Sequence, residues 1–322
     1  MAFLFTTMPA WYSHWEASSP FILNGRKSTS MAILLDGKKI SQEVLEELKP
    51  EIAKINKRLY PNALHLVIIM IGNDEPSEVF IKNKEKTGKK IGVKVTVRRF
   101  HEDITTSKLR KEVAVIGRDK SVHGIVVQLP LPKHINDQKI LDTVPAEKDV
   151  DVLGYKAAGK FYTNNETFRI IPSTLAGILR LLHEYGIDNF TGRPVVVVGA
   201  GRLIGKPAVT YFMRVDVKAS VFNVRSRTKD KETYLKNADI IISGADVPNI
   251  IAGDMVKDGA IVIDAGTCKD PESGKLVGNV IFDTVAPKAS YITPVPGGVG
   301  PMTVAMIFYN LVQLAKQRYK IK

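Results

Sequence analysis

Short, uninterrupted runs of apolar residues recur along the chain and restrict its fold more than any other feature. Residues 66–71 and 195–198 are two such runs; the first consists of Leu, Val, Ile and Met, and the second of Val alone. Runs of this kind are typical of strands buried on both faces, as in a parallel sheet covered by helices. Elsewhere, apolar residues recur every three or four positions, as in the segment 40–55, which predicts helices with one buried face. The sequence therefore predicts an α/β protein built from repeated strand and helix units.

Composition and charge narrow the class of protein. The chain has 322 residues, of which 44% are hydrophobic and 25% charged, as in folded water-soluble proteins. No apolar stretch approaches the about 18 residues that a membrane-spanning helix needs. The single cysteine, Cys268, excludes an intramolecular disulfide and a cysteine-built zinc site, and we expect no metal. A net charge of +13 favours an anionic partner, which leaves nucleic acid, an anionic membrane and a polyanionic small molecule open.

A glycine-rich turn follows the run 195–198. Gly199, Gly201 and Gly205 occupy positions one, three and seven of this turn, where the dinucleotide-binding fingerprint has glycines at one, three and six. Glycines at such positions let the backbone turn tightly and let a pyrophosphate approach a helix N-terminus. The turn therefore predicts a dinucleotide site. The alternative is a strand-to-helix turn that binds no cofactor.

A basic turn at 225–228 lies where the next strand of such a domain ends beside the adenine ribose. It reads Arg-Ser-Arg-Thr and holds no carboxylate, the group that would select NAD. Two guanidinium groups and two hydroxyls suit the 2′-phosphate of NADP. The sequence favours NADP, with NAD as the second choice. A solvated basic turn without a ligand is the alternative.

A second group of polar residues lies in the first half of the chain. Ser77 is placed as the N-cap of a predicted helix, on which Phe80 and Lys84 are four residues apart and share a face. A lysine beside an aromatic ring is partly shielded from water, which lowers its pKa toward the range useful for proton transfer. The alternative is an ordinary solvated face, because Lys82 and Lys86 flank Lys84 in the sequence.

Gln128 ends another apolar run, 125–127, and prolines follow it at 130 and 132. We expect its amide to project at the carboxyl edge of the sheet, where open α/β sheets bind ligands. The segment 147–151 comes next, and its alternating carboxylates face either a ligand or water.

Three motifs together identify a family. The segments 128–132 (QLPLP), 145–151 (PAEKDVD) and 293–303 (TPVPGGVGPMT) resemble those of the methylenetetrahydrofolate dehydrogenase/cyclohydrolase family, and the resemblance covers 31–322. It implies an enzyme that oxidises 5,10-methylenetetrahydrofolate with NAD(P)⁺ and hydrolyses the methenyl product to 10-formyltetrahydrofolate. The expected partners are tetrahydrofolate derivatives, including polyglutamylated forms, and a second copy of the chain in a homodimer.

The resemblance also assigns roles to residues. Lys84 is implied to be the general acid/base, Gln128 the group that tunes this lysine, and Asp151 the anchor of the pterin ring. These three residues are also implied to bind substrate, together with Phe80, Pro296, Gly297 and Gly298. The implied cofactor-binding residues are Thr174, Gly199, Ala200, Gly201, Arg202, Gly205, Arg225, Ser226, Arg227, Gly300 and Thr303.

Several positions depart from the usual family pattern. Phe80 replaces a tyrosine, which keeps ring stacking but removes a hydroxyl. The usual Gly-Arg-Ser turn is Gly-Ala-Gly at 199–201, so an arginine near the cofactor phosphate is missing. Val152 replaces a glycine, Ser-Thr-Leu at 173–175 replaces x-Thr-Pro, and Asn279 replaces an aspartate. Two alternatives to the bifunctional enzyme follow: a dehydrogenase with weak or absent cyclohydrolase activity, and a degenerate, non-catalytic binding protein.

The binding-protein alternative gains little from the charge, because basic residues are spread along the chain without the aromatic interleaving typical of RNA-binding proteins. We expect neither nucleic acid nor a membrane as partner. We expect an N-terminal extension at 1–30 and a cytoplasmic location, or a mitochondrial one if that extension is a presequence. The expected domains are a catalytic folate-binding domain at 31–173, completed by a C-terminal helix at 304–322 that packs back on it, and a Rossmann-type NAD(P)-binding domain at 174–303.

Overall fold

The computed structural model describes residues 32–165, 167–168, 170–214, 217–270 and 273–321, so the predicted extension at 1–30 lies outside the described residues. The elements before residue 170 are β1 (Ile33–Leu34), α1 (Gly37–Leu59), β2 (His65–Ile71), α2 (Glu75–Ile91), β3 (Lys94–Phe100), α3 (Thr106–Arg118), β4 (Gly124–Val127), α4 (Asp137–Leu141) and α5 (Tyr155–Tyr162).

The second half of the described chain has the same alternation. Its elements are α6 (Ser173–Glu184), β5 (Pro194–Val198), α7 (Gly205–Phe212), β6 (Ser220–Val224), α8 (Lys231–Lys236), β7 (Ile240–Ser243), a short 3₁₀ helix (Gly253–Met255), β8 (Ile261–Asp264), β9 (Cys268–Lys269), β10 (Leu276–Val277), α9 (Phe282–Val285), β11 (Tyr291–Ile292) and α10 (Val299–Tyr319).

The described residues form two compact units. The three-stranded unit comprises 41–173 and 304–321, and the six-stranded unit comprises 32–40 and 174–303. Each is named after its main sheet. The predicted α/β class is confirmed, because both main sheets are parallel and are built from strands that alternate with helices.

The three-stranded unit has the strand order β3-β2-β4. The central strand β2 is buried along its whole length, in agreement with its uninterrupted apolar run. Its core includes Ile69, Leu109, Val113 and Ile140, none of which is measurably exposed. The edge strand β3 exposes its basic residues Lys94, Arg98 and Arg99, which discourages pairing with another chain.

The C-terminal helix α10 belongs to this unit from Val304 onward, as predicted. Lys316 donates to Glu51 on α1 at 2.8 Å, and Tyr319 lies 3.0 Å from the imidazole of His123. Together with the buried apolar face of α10, these contacts hold the helix on the three-stranded unit.

The six-stranded unit has the strand order β1-β11-β8-β7-β5-β6, with all strands parallel. The order in which successive strands are added reverses at β5, because β6 lies on one side of β5 and β7 on the other. Ligands of open α/β sheets bind at such a switch point, outside the carboxyl ends of the strands. The glycine-rich turn after β5 lies there.

The structure differs from the sequence-based expectation at two places. Asp74, not Ser77, is the N-cap of α2, and its carboxylate accepts hydrogen bonds from the Ser77 amide at 3.0 Å and hydroxyl at 2.6 Å. Residues 32–40 belong to the six-stranded unit, because β1 pairs in parallel with β11. Two-residue strands carry too little periodicity to indicate their partner, so this pairing was not predictable. Among the described helices, none is both long and apolar enough to cross a membrane.

Candidate active site

Helix α2 separates its lysines by burial. Lys82 and Lys86 are exposed, whereas Lys84 is only 6% exposed. Phe80, one turn earlier, is partly buried on the same side of the helix. The alternative of a fully solvated lysine face is therefore wrong at Lys84.

Gln128 accepts a hydrogen bond from the buried lysine. The Lys84 Nζ donates to the Gln128 Oε1 at 2.8 Å, and the Gln128 Nε2 donates to the Leu129 carbonyl at 2.8 Å. The second bond fixes which end of the amide faces the lysine. The backbone N–H of Gln128 continues the sheet by donating to the Ile69 carbonyl at 2.9 Å, so the side chain stands at the carboxyl end of β4, as predicted.

Two opposing effects set the pKa of Lys84. Burial lowers it, because the ammonium form loses hydration, and the nearby negative charge of Asp151 partly offsets this. Gln128 offers a neutral acceptor, which holds the amine in place without adding a negative charge. The lowered pKa brings this amine closer to the range in which a lysine transfers protons.

The turn 149–154 presents two carboxyl groups of different character. Asp149 is buried, and its Oδ2 accepts from the backbone N–H groups of Leu153 at 3.0 Å and Gly154 at 2.8 Å. Burial, with help from the charge of Asp151, raises the pKa of Asp149 to about 7, although these amides favour the ionised form. Glu147 is exposed, so the three carboxylates of the motif do not share one environment.

Asp151 lies between the lysine and a serine. Burial raises the pKa of its carboxyl group, whereas the charge of Lys84 and a hydrogen bond from Ser173 oppose the rise. Sequence reasoning missed Ser173 and Asp149 as members of this group. The only signal for them was their place inside motifs, next to residues with assigned roles.

The glycine-rich turn after β5 is tightly built. Gly199 has φ +108°, and a Cβ atom on it would lie 2.4 Å from the Gly244 carbonyl oxygen. A Cβ on Gly205 would lie 2.3 Å from the Gly199 carbonyl oxygen. Both positions therefore require glycine, and α7 begins at Gly205, where the Lys206 N–H donates to the Gly201 carbonyl of the turn at 3.0 Å. Ala200, Gly201 and Arg202 complete the turn with partly or fully exposed residues.

The basic turn 225–228 follows β6 directly. The Arg225 N–H donates to the Thr228 hydroxyl at 2.8 Å, and the Thr228 N–H donates to the Arg225 carbonyl at 2.9 Å. These bonds use the backbone and leave both guanidinium side chains exposed, at Arg225 and Arg227. Ser226 is partly buried. The parallel pairing of β5 with β6 puts this turn at the same sheet edge as the glycine-rich turn.

The motif 293–303 forms a third turn of the six-stranded unit. Gly297 has φ +115°, and its carbonyl accepts from the Lys38 N–H at 2.8 Å. Gly298 donates to the Pro294 carbonyl at 2.8 Å and packs so closely on Gly37 that a Cβ there would overlap it. At the end of the motif, Thr303 donates to the Thr174 hydroxyl at 3.4 Å. Of the remaining predicted residues, Pro296 and Gly300 are exposed.

The predicted site residues thus fall into two groups. The three-stranded unit holds Phe80, Lys84, Gln128 and Asp151, and contacts within it join Lys84 to Gln128 and to the charge of Asp151. The six-stranded unit holds all of the predicted cofactor-binding residues, with Pro296, Gly297 and Gly298.

The fold and these groups define an α/β enzyme class with a Rossmann-type NAD(P)-binding domain and a second domain that carries a buried lysine. Two family models match the chain: the catalytic domain of tetrahydrofolate dehydrogenase/cyclohydrolase at residues 35–151, and its NAD(P)-binding domain at 172–319. The chain belongs to the tetrahydrofolate dehydrogenase/cyclohydrolase family.

Individual relatives agree with this assignment. The bifunctional protein FolD of Nautilia profundicola is 42% identical over 88% of this chain and 97% of its own length. The structure of the bifunctional FolD enzyme from Campylobacter jejuni is 39% identical, with a TM-score of 0.83 over 89% of this chain and 99% of that one. The Trypanosoma brucei enzyme, whose structure contains NADP and an inhibitor, is 33% identical, with a TM-score of 0.84 over 90% and 99%.

Proposed function

We propose that this chain oxidises 5,10-methylenetetrahydrofolate with NADP⁺ and then hydrolyses the methenyl cation to 10-formyltetrahydrofolate. The observation that carries the proposal is the buried Lys84, held at 2.8 Å by Gln128. A buried amine on a neutral acceptor suits a reaction that needs one positioned proton carrier. Family membership supplies the substrate class and the two activities.

Lys84 moves the proton of the hydrolytic step. Water adds to the methenyl carbon, which is already electrophilic because it carries the positive charge. The neutral amine accepts a proton from the added oxygen and delivers it to the ring nitrogen as the carbon–nitrogen bond to that nitrogen breaks. The second proton of the water is released, so the formyl product leaves without net charge at the reacting centre.

Gln128 and Asp151 support that lysine and the substrate. Gln128 fixes the amine, and the charge of Asp151 limits how far burial lowers the pKa of Lys84. We assign Asp151 to the pterin, whose amino group and ring N–H are donors suited to a carboxylate. Phe80 is assigned to stacking on the ring system, because it shares the face of α2 that carries Lys84.

The six-stranded unit holds the dinucleotide. NADP⁺, when bound, supplies the acceptor for the hydride of the methylene group. Gly199 and Gly205 keep the turn tight beside the N-terminus of α7, which is the arrangement that binds a pyrophosphate in dinucleotide-binding domains, so the residues fit this cofactor. The exposed guanidinium groups of Arg225 and Arg227 are placed to bind a 2′-phosphate, and they favour NADP over NAD.

Phe80 favours a second candidate function, a dehydrogenase with weak cyclohydrolase activity. The ring lacks the hydroxyl that usually stands at this position, and hydrolysis depends on proton transfer more than hydride transfer does. Separate rates for the two steps distinguish the candidates.

A homodimer is the oligomeric state that we propose, through the edge strand β6. Its outer backbone groups have no partner strand within the described sheet. Phe222 is 44% exposed and Tyr234 is 41% exposed, with ring centroids 5.6 Å apart, so an apolar patch adjoins this edge. Sedimentation should give the mass of two chains, and Phe222→Lys should shift it toward one. A wild-type monomer at micromolar concentration would contradict the proposal.

For the compartment we propose the cytoplasm, because the only cysteine is a buried free thiol that suits a reducing environment. Fractionation of cells that express the full chain tests this. Recovery in mitochondria would contradict it.

Assay of the purified chain tests the proposed function as a whole. With 5,10-methylenetetrahydrofolate, NADP⁺ should be reduced faster than NAD⁺ at equal concentration. With 5,10-methenyltetrahydrofolate alone, the absorbance of the cation should decay faster than in buffer. Failure to reduce either dinucleotide would overturn the proposal, and reduction without methenyl hydrolysis would support the second candidate.

A further inference from the structure

The C-terminal helix α10 reaches the pterin-side carboxylate through a buried amide. Asn310 is 1% exposed, and its Nδ2 donates to the Val150 carbonyl at 2.8 Å and the Ile171 carbonyl at 2.9 Å. The first acceptor directly precedes Asp151. The second lies two residues before Ser173. One side chain therefore ties together the two segments that carry Asp151 and Ser173.

Ser173 continues this network toward Asp151. Its hydroxyl oxygen accepts from the Asn310 Nδ2 at 3.3 Å, and its hydroxyl proton is directed to the Val150 carbonyl at 2.9 Å. The Val150 carbonyl therefore accepts from both Ser173 and Asn310, directly before Asp151 in the chain. Ser173 is 1% exposed, so water does not compete for its hydroxyl proton.

This arrangement solves a problem of orientation. Asp151 lies in the turn 149–154, outside a helix or strand, so regular backbone hydrogen bonds do not fix its carboxylate. Lys84 is also directed to Gln128 and does not hold the carboxylate alone. The Ser173 hydroxyl and the Asn310 amide, both buried, instead fix the Val150 carbonyl and so hold the backbone that leads into Asp151.

We propose that Ser173 is a positioning residue, which holds Asp151 in the orientation that binds the pterin, and that Asn310 supports it from α10. The inference rests on the proposed role of Asp151 in folate binding. Neither residue needs to touch substrate or cofactor for this role. Loss of the hydroxyl should therefore weaken folate binding without changing dinucleotide binding.

The test compares Ser173→Ala with Ser173→Thr, which keeps the hydroxyl, and with Asp151→Ala. Ser77→Ala is a matched control, because Ser77 is a buried serine of the same unit whose hydroxyl donates to a carboxylate at the start of a helix, at 2.6 Å. Folate affinity is measured by calorimetry with tetrahydrofolate. The KM for NADP⁺ and the thermal unfolding of each variant are measured in parallel.

We expect the Kd for tetrahydrofolate to rise about tenfold in Ser173→Ala and to stay within about threefold of wild type in Ser173→Thr and Ser77→Ala, since the loss of a buried hydrogen bond costs roughly that factor. The KM for NADP⁺ should not change.

Three results would overturn the inference, each in a different way. Wild-type folate affinity in Ser173→Ala, with a large loss of affinity in Asp151→Ala, would remove the role of Ser173 alone. Unchanged affinity in Asp151→Ala would remove the role of Asp151, and the inference with it. A loss of folate affinity in Ser77→Ala as large as that in Ser173→Ala would show that Ser173 has only a structural role.

Discussion

At the scale of single residues, Phe80 carries the clearest functional departure. Phe80→Tyr adds one oxygen at a partly buried position on the face of α2 that carries Lys84. We expect faster methenyl hydrolysis and little change in hydride transfer, because the hydroxyl adds a hydrogen-bonding group beside the proton carrier. Stopped-flow rates of the two steps check this. An unchanged or slower hydrolytic rate would mean that another group already performs this role.

Val152 has a backbone conformation that β-branched residues rarely adopt. Its φ is +58°, and its side chain is only 2% exposed. Replacement by alanine loses the packing and keeps the strain, whereas replacement by glycine loses the packing and relieves a strain of about 1–2 kcal/mol. Val152→Gly should therefore be more stable than Val152→Ala, the reverse of the usual order. Urea unfolding of the two variants checks this, and an alanine variant of equal or greater stability would contradict it.

The burial of Lys84 shows where sequence reasoning ends at this scale. The pattern places three lysines on two turns of helix and does not say which one is buried. That choice depends on Gln128, which is 44 positions away in sequence and accepts from Lys84. The proton-carrying lysine was therefore implied by family resemblance, while its burial required the structure.

At the scale of elements, the glycine-rich turn could be predicted from the sequence, and the structure gives the reason why an individual position must be glycine. The sequence indicates that glycines follow β5, and the structure shows that Gly199 is required by the approach of Gly244, which follows β7. Strand β1 illustrates the opposite case. Its two residues are too few to show a hydrophobic period. They pair with β11, in which Tyr291, the partner of Ile33, lies 258 positions later in the sequence.

The basic turn after β6 determines the choice of cofactor. Arg225 and Arg227 are exposed, and the turn is closed by backbone and hydroxyl hydrogen bonds that do not involve the guanidinium groups. Changing both to alanine should raise the KM for NADP⁺ about tenfold or more and leave NAD⁺ kinetics nearly unchanged, because a charge-assisted contact is worth about 1.5–3 kcal/mol.

Salt provides the control for this double variant. The KM of the wild type for NADP⁺ should rise with ionic strength, and that of the variant should respond less. Equal loss of both dinucleotides in the variant would show that the turn is a solvated surface and that the turn 199–205 fixes the cofactor alone.

At the scale of the whole molecule, Asp149 should make folding stability depend on pH. Burial raises its pKa in the folded state to about 7, above its ordinary value of 3.8, so the folded chain holds a proton that the unfolded chain releases. The contribution of this group to stability is therefore greatest below about pH 4 and falls as the pH rises through 7.

Asp149→Asn removes the titration and keeps an acceptor for the Leu153 and Gly154 amides. Between pH 5 and pH 8, the free energy of unfolding of the wild type should fall more than that of the variant, by a few kcal/mol at most. Urea titrations at the two pH values measure the difference. Parallel curves for the two proteins would contradict the assigned proton.

The central claim is that Lys84 carries the proton of the hydrolytic step, and Lys84→Met tests it most directly. Methionine keeps the length and apolar character of the side chain and removes the amine, and Lys82→Met makes the same change at an exposed position of the same helix. Decay of 5,10-methenyltetrahydrofolate should slow about 100-fold or more in Lys84→Met, with the Kd for NADP⁺ within about twofold of wild type, and Lys82→Met should resemble wild type. Near-normal hydrolysis by folded Lys84→Met would contradict the claim.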